Sequence, residues 1–189
     1  MKRNHLLKVT NLKNQSGFSL AELLITCVIM LFVLAIMATI VSGVQSSYQI
    51  YRERAAKHED ALASLNLITR LIRNAGDNTT QTALTATGSN RLRIKSDWTN
   101  SDNSLDDAFE DVEFYVSNNT LYMMSNSSTS NTVEVAQNIQ AITFSYFDSN
   151  GAITNIMTSV ARVNVTLTIA GESQSISANS SLRKMLQPK

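Results

Sequence analysis

Residues 17–44 read GFSLAELLITCVIMLFVLAIMATIVSGV, and the solvent this stretch requires decides how the rest of the chain is built. From Leu23 to Val41 there are 19 consecutive residues without a charge. About 20 such residues cross the hydrocarbon core of a bilayer as a helix, so the segment is long enough to span. Residues 1–17 hold Lys2, Arg3, Lys8 and Lys13 and no acid, which leaves a net charge of −3 on the remainder of a chain that totals +1. Cationic flanks stay cytoplasmic. The expected topology is therefore a single membrane pass, N-terminus inside and C-terminal domain outside.

Several signals share this general layout. A cleaved secretory signal has an apolar core of about 7–15 residues and a small-residue exit; this run is longer and lacks that exit. Leu24-Ile25-Thr26-Cys27 loosely resembles a lipobox, but Thr26 stands where a small residue is expected and the apolar run continues past the cysteine. Cys27 then reads as a membrane-buried thiol. The residue that neither reading uses is Glu22. A carboxylate beside an apolar helix is costly in lipid, about 2.5–3.5 kcal/mol at the helix centre and less near the interface. It either snorkels to the headgroups or finds a partner.

Gly17-Phe18-Ser19-Leu20-Ala21-Glu22-Leu23-Leu24-Ile25, at this distance from a basic leader and directly before the apolar run, resembles the processing site of type IV prepilins and type II secretion pseudopilins. The resemblance implies a prepilin peptidase that cuts between Gly17 and Phe18 and methylates the new N-terminal Phe18. It also implies that Glu22, fifth in the mature chain, meets the N-terminal amine of a neighbouring filament subunit. Such a pairing offsets the desolvation of a buried acid. The implied partners are the peptidase, other minor and major pilins or pseudopilins, and an inner-membrane assembly platform.

Past Val44 the pattern becomes amphipathic. Tyr48, Tyr51, Ala55, His58, Leu62, Leu65, Thr69 and Ile72 recur at steps of three and four, with Arg52, Arg54, Lys57, Glu59, Asp60, Arg70 and Arg73 opposite. Gly76 follows the last apolar position and reads as a stop. Helix is expected from Phe18 to Ala75, roughly 85–90 Å at 1.5 Å per residue, with Gly43 a place where a bend is allowed. Beyond Gly76, strands are expected at 91–96, 112–117, 120–125, 132–136, 139–147, 159–169 and 173–182. Asn118-Asn119 and Asp148-Ser149-Asn150-Gly151 supply turn chemistry. The alternation of Val163, Val165, Leu167 and Ile169 with polar residues marks a sheet buried on one face. The expected fold is α+β: a pilin-like ladle, a long N-terminal helix packed on an antiparallel sheet. Its divisions are 1–17 leader, 18–44 membrane half of the helix, 45–76 amphipathic half and 77–189 β-rich domain.

Later segments carry a more diffuse resemblance. Arg70-Leu71-Ile72-Arg73-Asn74-Ala75-Gly76 is similar to the helix end of PilW-type minor pilins and the J-type minor pseudopilin. Val135-Ala136-Gln137-Asn138-Ile139, Phe144 through Asp148, and Ala161 through Val165 follow suit. These imply a minor rather than a major subunit, one that helps prime a filament. With one cysteine the chain cannot form the internal disulfide of many major pilins.

No catalytic constellation is evident, and no cofactor is expected. His58 sits on the apolar stripe without a second ligand at metal spacing, so a hydrogen-bonded histidine is preferred to a metal site. The acidic run from Asp102 to Glu113, including Asp106, Asp107, Glu110 and Asp111, lacks the glycine and spacing of an EF-hand loop. A solvated loop is preferred to a calcium site. Arg91, Arg93 and Lys95 alternate along one strand near Trp98; blocking of an exposed strand edge is preferred to nucleic-acid contact. The class-level alternative to a filament subunit is a membrane-anchored adhesin or DNA-binding module exported by the same signal.

Overall fold

The computed structural model describes residues 19–76, 82–88, 90–97, 104–105, 107, 110–125 and 131–183. Gly17, Phe18, Trp98, Asp102 and Asp106 lie outside the described residues. The chain divides into two units, Met1–Ile50 and Tyr51–Lys189. One helix, α1, runs from Leu20 to Asn74 without a break at Gly43, where a Cβ would meet nothing within 4 Å.

In the first unit every described residue is exposed, including Leu20, Met30, Leu31 and Phe32. An apolar helix with no protein against it is one that needs lipid or other helices around it. Its hydroxyls are satisfied within the helix. Thr26 donates to the carbonyls of Glu22 and Leu23, Thr39 to Ala35 and Ser42 to Ala38, at 2.8–3.0 Å. That back-bonding makes such residues tolerable in hydrocarbon, where water cannot serve them.

In the second unit the stripe narrows onto a core. Ala61, Leu65, Ile68, Leu71 and Ile72 of α1 are buried against strands of two antiparallel sheets. The first sheet has the order β1(Leu84–Gly88), β2(Arg91–Lys95), β3(Asp111–Ser117), β4(Thr120–Ser125), β5(Thr132–Gln137). The second comprises β6(Ile139–Phe147), β7(Arg162–Ile169) and β8(Ser175–Ser181). The α+β class and the antiparallel pairing are as expected, but the single sheet becomes two. The division falls at Asn138, whose φ of 60° turns the chain in one residue between β5 and β6. The Asn138 carbonyl then accepts the N–H of Ala170 at 2.7 Å, tying the turn to the end of β7.

Other elements follow local chemistry. Asn118 and Asn119 both take positive φ, 51° and 58°, the geometry of a two-residue hairpin turn whose twist matches its strands. β1 was not expected: a short Thr-rich segment gives little apolar alternation, and Leu84 is its one buried residue. The segment expected as strand from residue 159 is instead a 3-10 turn, Met157–Ser159, before β7 begins at Arg162.

The end of α1 is held from both sheets. The last carbonyls of a helix have no partner inside it. Asn74 O accepts the Ser96 hydroxyl at 2.7 Å, and Arg73 O accepts the Arg183 N–H at 3.1 Å. One turn earlier Thr69 O accepts the Ser180 hydroxyl at 2.8 Å. Gly76, at φ 78°, takes the left-handed position that ends the helix and donates its N–H to Lys95 O at 2.9 Å.

Burial pushes the Tyr146 hydroxyl up to about 12 from its ordinary 10. Because the folded value lies above the unfolded one, this neutral phenol's contribution is complete below pH 10 and is lost as pH rises through about 12. Thermal unfolding followed across that window should show a falling midpoint, and Tyr146→Phe should flatten it. An equal alkaline slope in the two proteins would exclude Tyr146 as the source.

Candidate functional site

Two groups of polar residues stand out, one at the start of α1 and one on the sheets. At the first, Ser19 precedes the first helical residue and Glu22 is the third. Glu22 Oε2 accepts the Ser19 backbone N–H at 3.3 Å, and Ser19 O accepts Leu23 N–H at 3.1 Å. Ser19-Leu20-Ala21-Glu22 thus follows the S-x-x-E capping-box pattern, with the glutamate reaching back to an unpaired donor of the first turn. A carboxylate there also meets the positive end of the helix dipole. The S-x-x-E spacing at Ser19 and Glu22 is the sequence signal of this local role. Cys27 is exposed on the same helix.

On the first sheet, the basic and acidic clusters of the sequence turn out to be one network. β2 lies between β1 and β3 and is not an edge, so edge blocking by Arg91, Arg93 and Lys95 is overturned. Pairing of β2 with β3 sets Arg93 opposite Glu113 and Lys95 opposite Asp111. Arg93 holds Asp111 with two hydrogen bonds, Nε to Oδ1 at 2.6 Å and Nη2 to Oδ2. Those bonds raise the Arg93 pKa further above its ordinary value. Arg91 reaches Glu113 Oε1 at 3.2 Å, which also accepts the Thr87 hydroxyl at 2.8 Å. The Arg91 guanidinium lies 4.6 Å over the Tyr115 ring, and Tyr115 stacks on Tyr122 at 5.6 Å.

These pairings take up residues from both clusters. Asp111 and Glu113, drawn from the acidic run, are engaged by arginines and not gathered around a cation position. Among the described residues no group of three or more His, Cys, Asp or Glu side chains is placed to hold a metal ion. The arginines that invited a nucleic-acid reading are in turn neutralised by carboxylates that are themselves nearly buried.

His58 is hydrogen-bonded, as expected, and its partner is Glu172 in the β7–β8 turn, Nε2 to Oε2 at 2.8 Å. With Arg54, Ser173 and Gln174 the pair borders a shallow polar recess of about 340 Å³. This contact lies just before Ala61, where helix burial begins.

With these positions established, residues 12–42 match the model of the prokaryotic N-terminal methylation motif. No curated protein matches the chain. The motif is the signal of type IV prepilins and pseudopilins, and with the long helix and antiparallel sheets it supports the pilin superfamily, a family of structural subunits. It implies processing by prepilin peptidase, membrane anchoring through the apolar helix, and assembly with other pilins.

The network on the first sheet is testable as a stabilising device. In a double-mutant cycle on Arg93→Ala and Asp111→Ala, the coupling in unfolding free energy should be about 1–3 kcal/mol, the range for a part-buried, doubly hydrogen-bonded pair. Additive losses would show that each side chain is satisfied without the other.

Proposed function

We propose that this chain is a minor pilin or pseudopilin, processed between Gly17 and Phe18, methylated at Phe18, and incorporated into a type IV pilus-like filament whose assembly it helps to prime. The observation that carries the proposal is the coupling of the methylation motif to one uninterrupted helix, whose apolar half has no protein packed on it. Such a surface is stable in a bilayer before assembly and among the helices of other subunits afterwards. The inner membrane is the proposed site of insertion, with the basic N-terminus cytoplasmic and the β-rich domain outside.

In this reading the side chain of Glu22 serves the helix first and a neighbour second. Its bond to the Ser19 N–H is long, at 3.3 Å, and its carboxylate is exposed. It is therefore available to a stronger, charged donor such as an N-terminal amine. Priming fits a subunit that enters the filament in few copies and sets the register for those that follow. The diffuse similarity of the helix end and of β6–β7 to PilW-type and J-type subunits favours that role over the major subunit.

Mass spectrometry of the N-terminus tests the processing step directly. The mature chain should begin at a methylated Phe18; a chain that retains Met1 or starts elsewhere would overturn the assignment. For assembly, Glu22→Ala should leave cleavage intact while the share recovered in sheared filaments falls well below wild type. Wild-type recovery of that variant would remove Glu22 from the assembly mechanism.

A further inference from the structure

The outward face of the three-stranded sheet differs from the rest of the domain. Along its strands, IQAITFSYF, RVNVTLTI and SISANSS, the one formal charge is Arg162. Thr143, Ser145, Asn164, Thr166, Ser177 and Asn179 make the remainder of that face small and polar. At one end the character changes. Ile153 bridges to Phe147, Phe147 pairs with Arg162, and Arg162 pairs with Ser181, so four cross-strand neighbours form one row. Directly opposed residues point to the same side of a sheet. The Arg162 guanidinium lies 4.7 Å over the Phe147 ring. It makes no ion pair among the described residues.

The Ile153 end of the row is apolar where solvent would favour polar side chains. Ile153 is 78% exposed, and Ile156, three residues on, is 65% exposed. Nor are these isoleucines on a loose loop. Asp148 Oδ1 accepts the N–H groups of Asn150 and Ala152, each at 2.9 Å, and Thr154 N–H donates to Tyr146 O at 3.0 Å. Thr154 Oγ1 accepts Ile156 N–H at 3.1 Å and lies 3.2 Å from Ser159 Oγ, which donates to Ile156 O at 2.9 Å. A loop fixed in this way presents its apolar side chains without further ordering cost, the condition under which a few anchors dominate an interface.

We infer that Ile153, Phe147 and Arg162, with Ile156 exposed on the same braced loop, form a docking surface for a neighbouring filament subunit of different sequence, one presenting an apolar contact next to a carboxylate. The inference rests on the filament-subunit reading. Charge selects the occupant. A cation stacked on a ring and lacking an acid is matched by a carboxylate across an interface. A second copy of this chain docked face to face would set Arg162 against Arg162 on a sheet face with no acid to offer. Asp148, at the rim of the adjoining recess of about 420 Å³, already has its Oδ1 engaged by two backbone donors.

The test places a photo-reactive benzophenone side chain at position 153 of the full-length chain in the producing cell, with adducts identified by mass spectrometry. One other filament subunit should be captured. The adduct should drop about tenfold or more with Arg162→Glu or Ile156→Asp and persist with Arg162→Lys, as removal of an interface anchor requires. No adduct, an adduct with lipid or with a second copy, or an adduct indifferent to Arg162→Glu would overturn the surface. Recovery of the parent chain in sheared filaments separates the two claims. A chain found there without the adduct defeats the docking surface alone, and a chain absent from filaments defeats the filament reading as well.

Discussion

The structure of the β-rich unit depends on the need to satisfy the end of α1 from two directions at once. The stripe from Ala61 to Ala75 buries apolar side chains, yet the carbonyls of its last turn require donors that a hydrophobic core cannot provide. Ser96, at the end of β2, serves Asn74; Ser180 and Arg183, on and after β8, serve Thr69 and Arg73. Each sheet thereby contributes both apolar cover and a polar cap. Ser96 is 3% exposed, so a substitution there would leave the Asn74 carbonyl without its donor, whereas Ser180, 2% exposed, adds a second donor to a Thr69 carbonyl already bonded within the helix.

The same division explains why the two sheets treat charge differently. On the first, Arg91, Arg93, Asp111 and Glu113 compensate one another across strands, and Tyr115 and Tyr122 extend the row. The network closes on itself: each carboxylate has an arginine, and the Arg91 guanidinium also has a ring. Little of it is left over to recognise anything. The second sheet has one charge on its strands, and that charge has no counterion among the described residues. Closed networks stabilise and specify, whereas open valences are what a partner can read.

Most of the fold could be read from the sequence because its signals are local. The helix announced itself by an apolar run, a period of 3.6 and Gly76; β7 did so by period-two alternation; the β3–β4 turn did so by two asparagines. What escaped was non-local. β1 has too little alternation to be distinguished from loop, and its pairing with β2 is what removed Arg91 and Arg93 from an edge. Arg93 and Asp111 are 18 residues apart in the chain, and nothing in either cluster states the register that joins them. One asparagine at φ 60° splits the strands into two sheets, a torsion that propensity alone does not single out. At the candidate site the residue pattern around Glu22 was legible, whereas the loop holding Ile153 and Ile156 depends on contacts between residues 146 and 159 that only the fold assembles.

If Glu22 serves assembly as proposed, it would meet two requirements without conflict. Before assembly, an acid at the lipid boundary needs a donor, and the first turn of its own helix offers one through the Ser19 N–H. The bond offsets part of the desolvation cost and places the carboxylate beside the positive end of the helix dipole. A neutral amide donor at 3.3 Å is nevertheless a weak competitor for a carboxylate. An ammonium group brought alongside by a second subunit would form a shorter, charge-assisted bond, while the Ser19 N–H could return to water at the membrane surface. Under the proposed filament reading, the acid would be tolerated in the single chain and better paired in the filament, so its contribution to assembly would be a difference between two partners rather than the rescue of an unpaired charge.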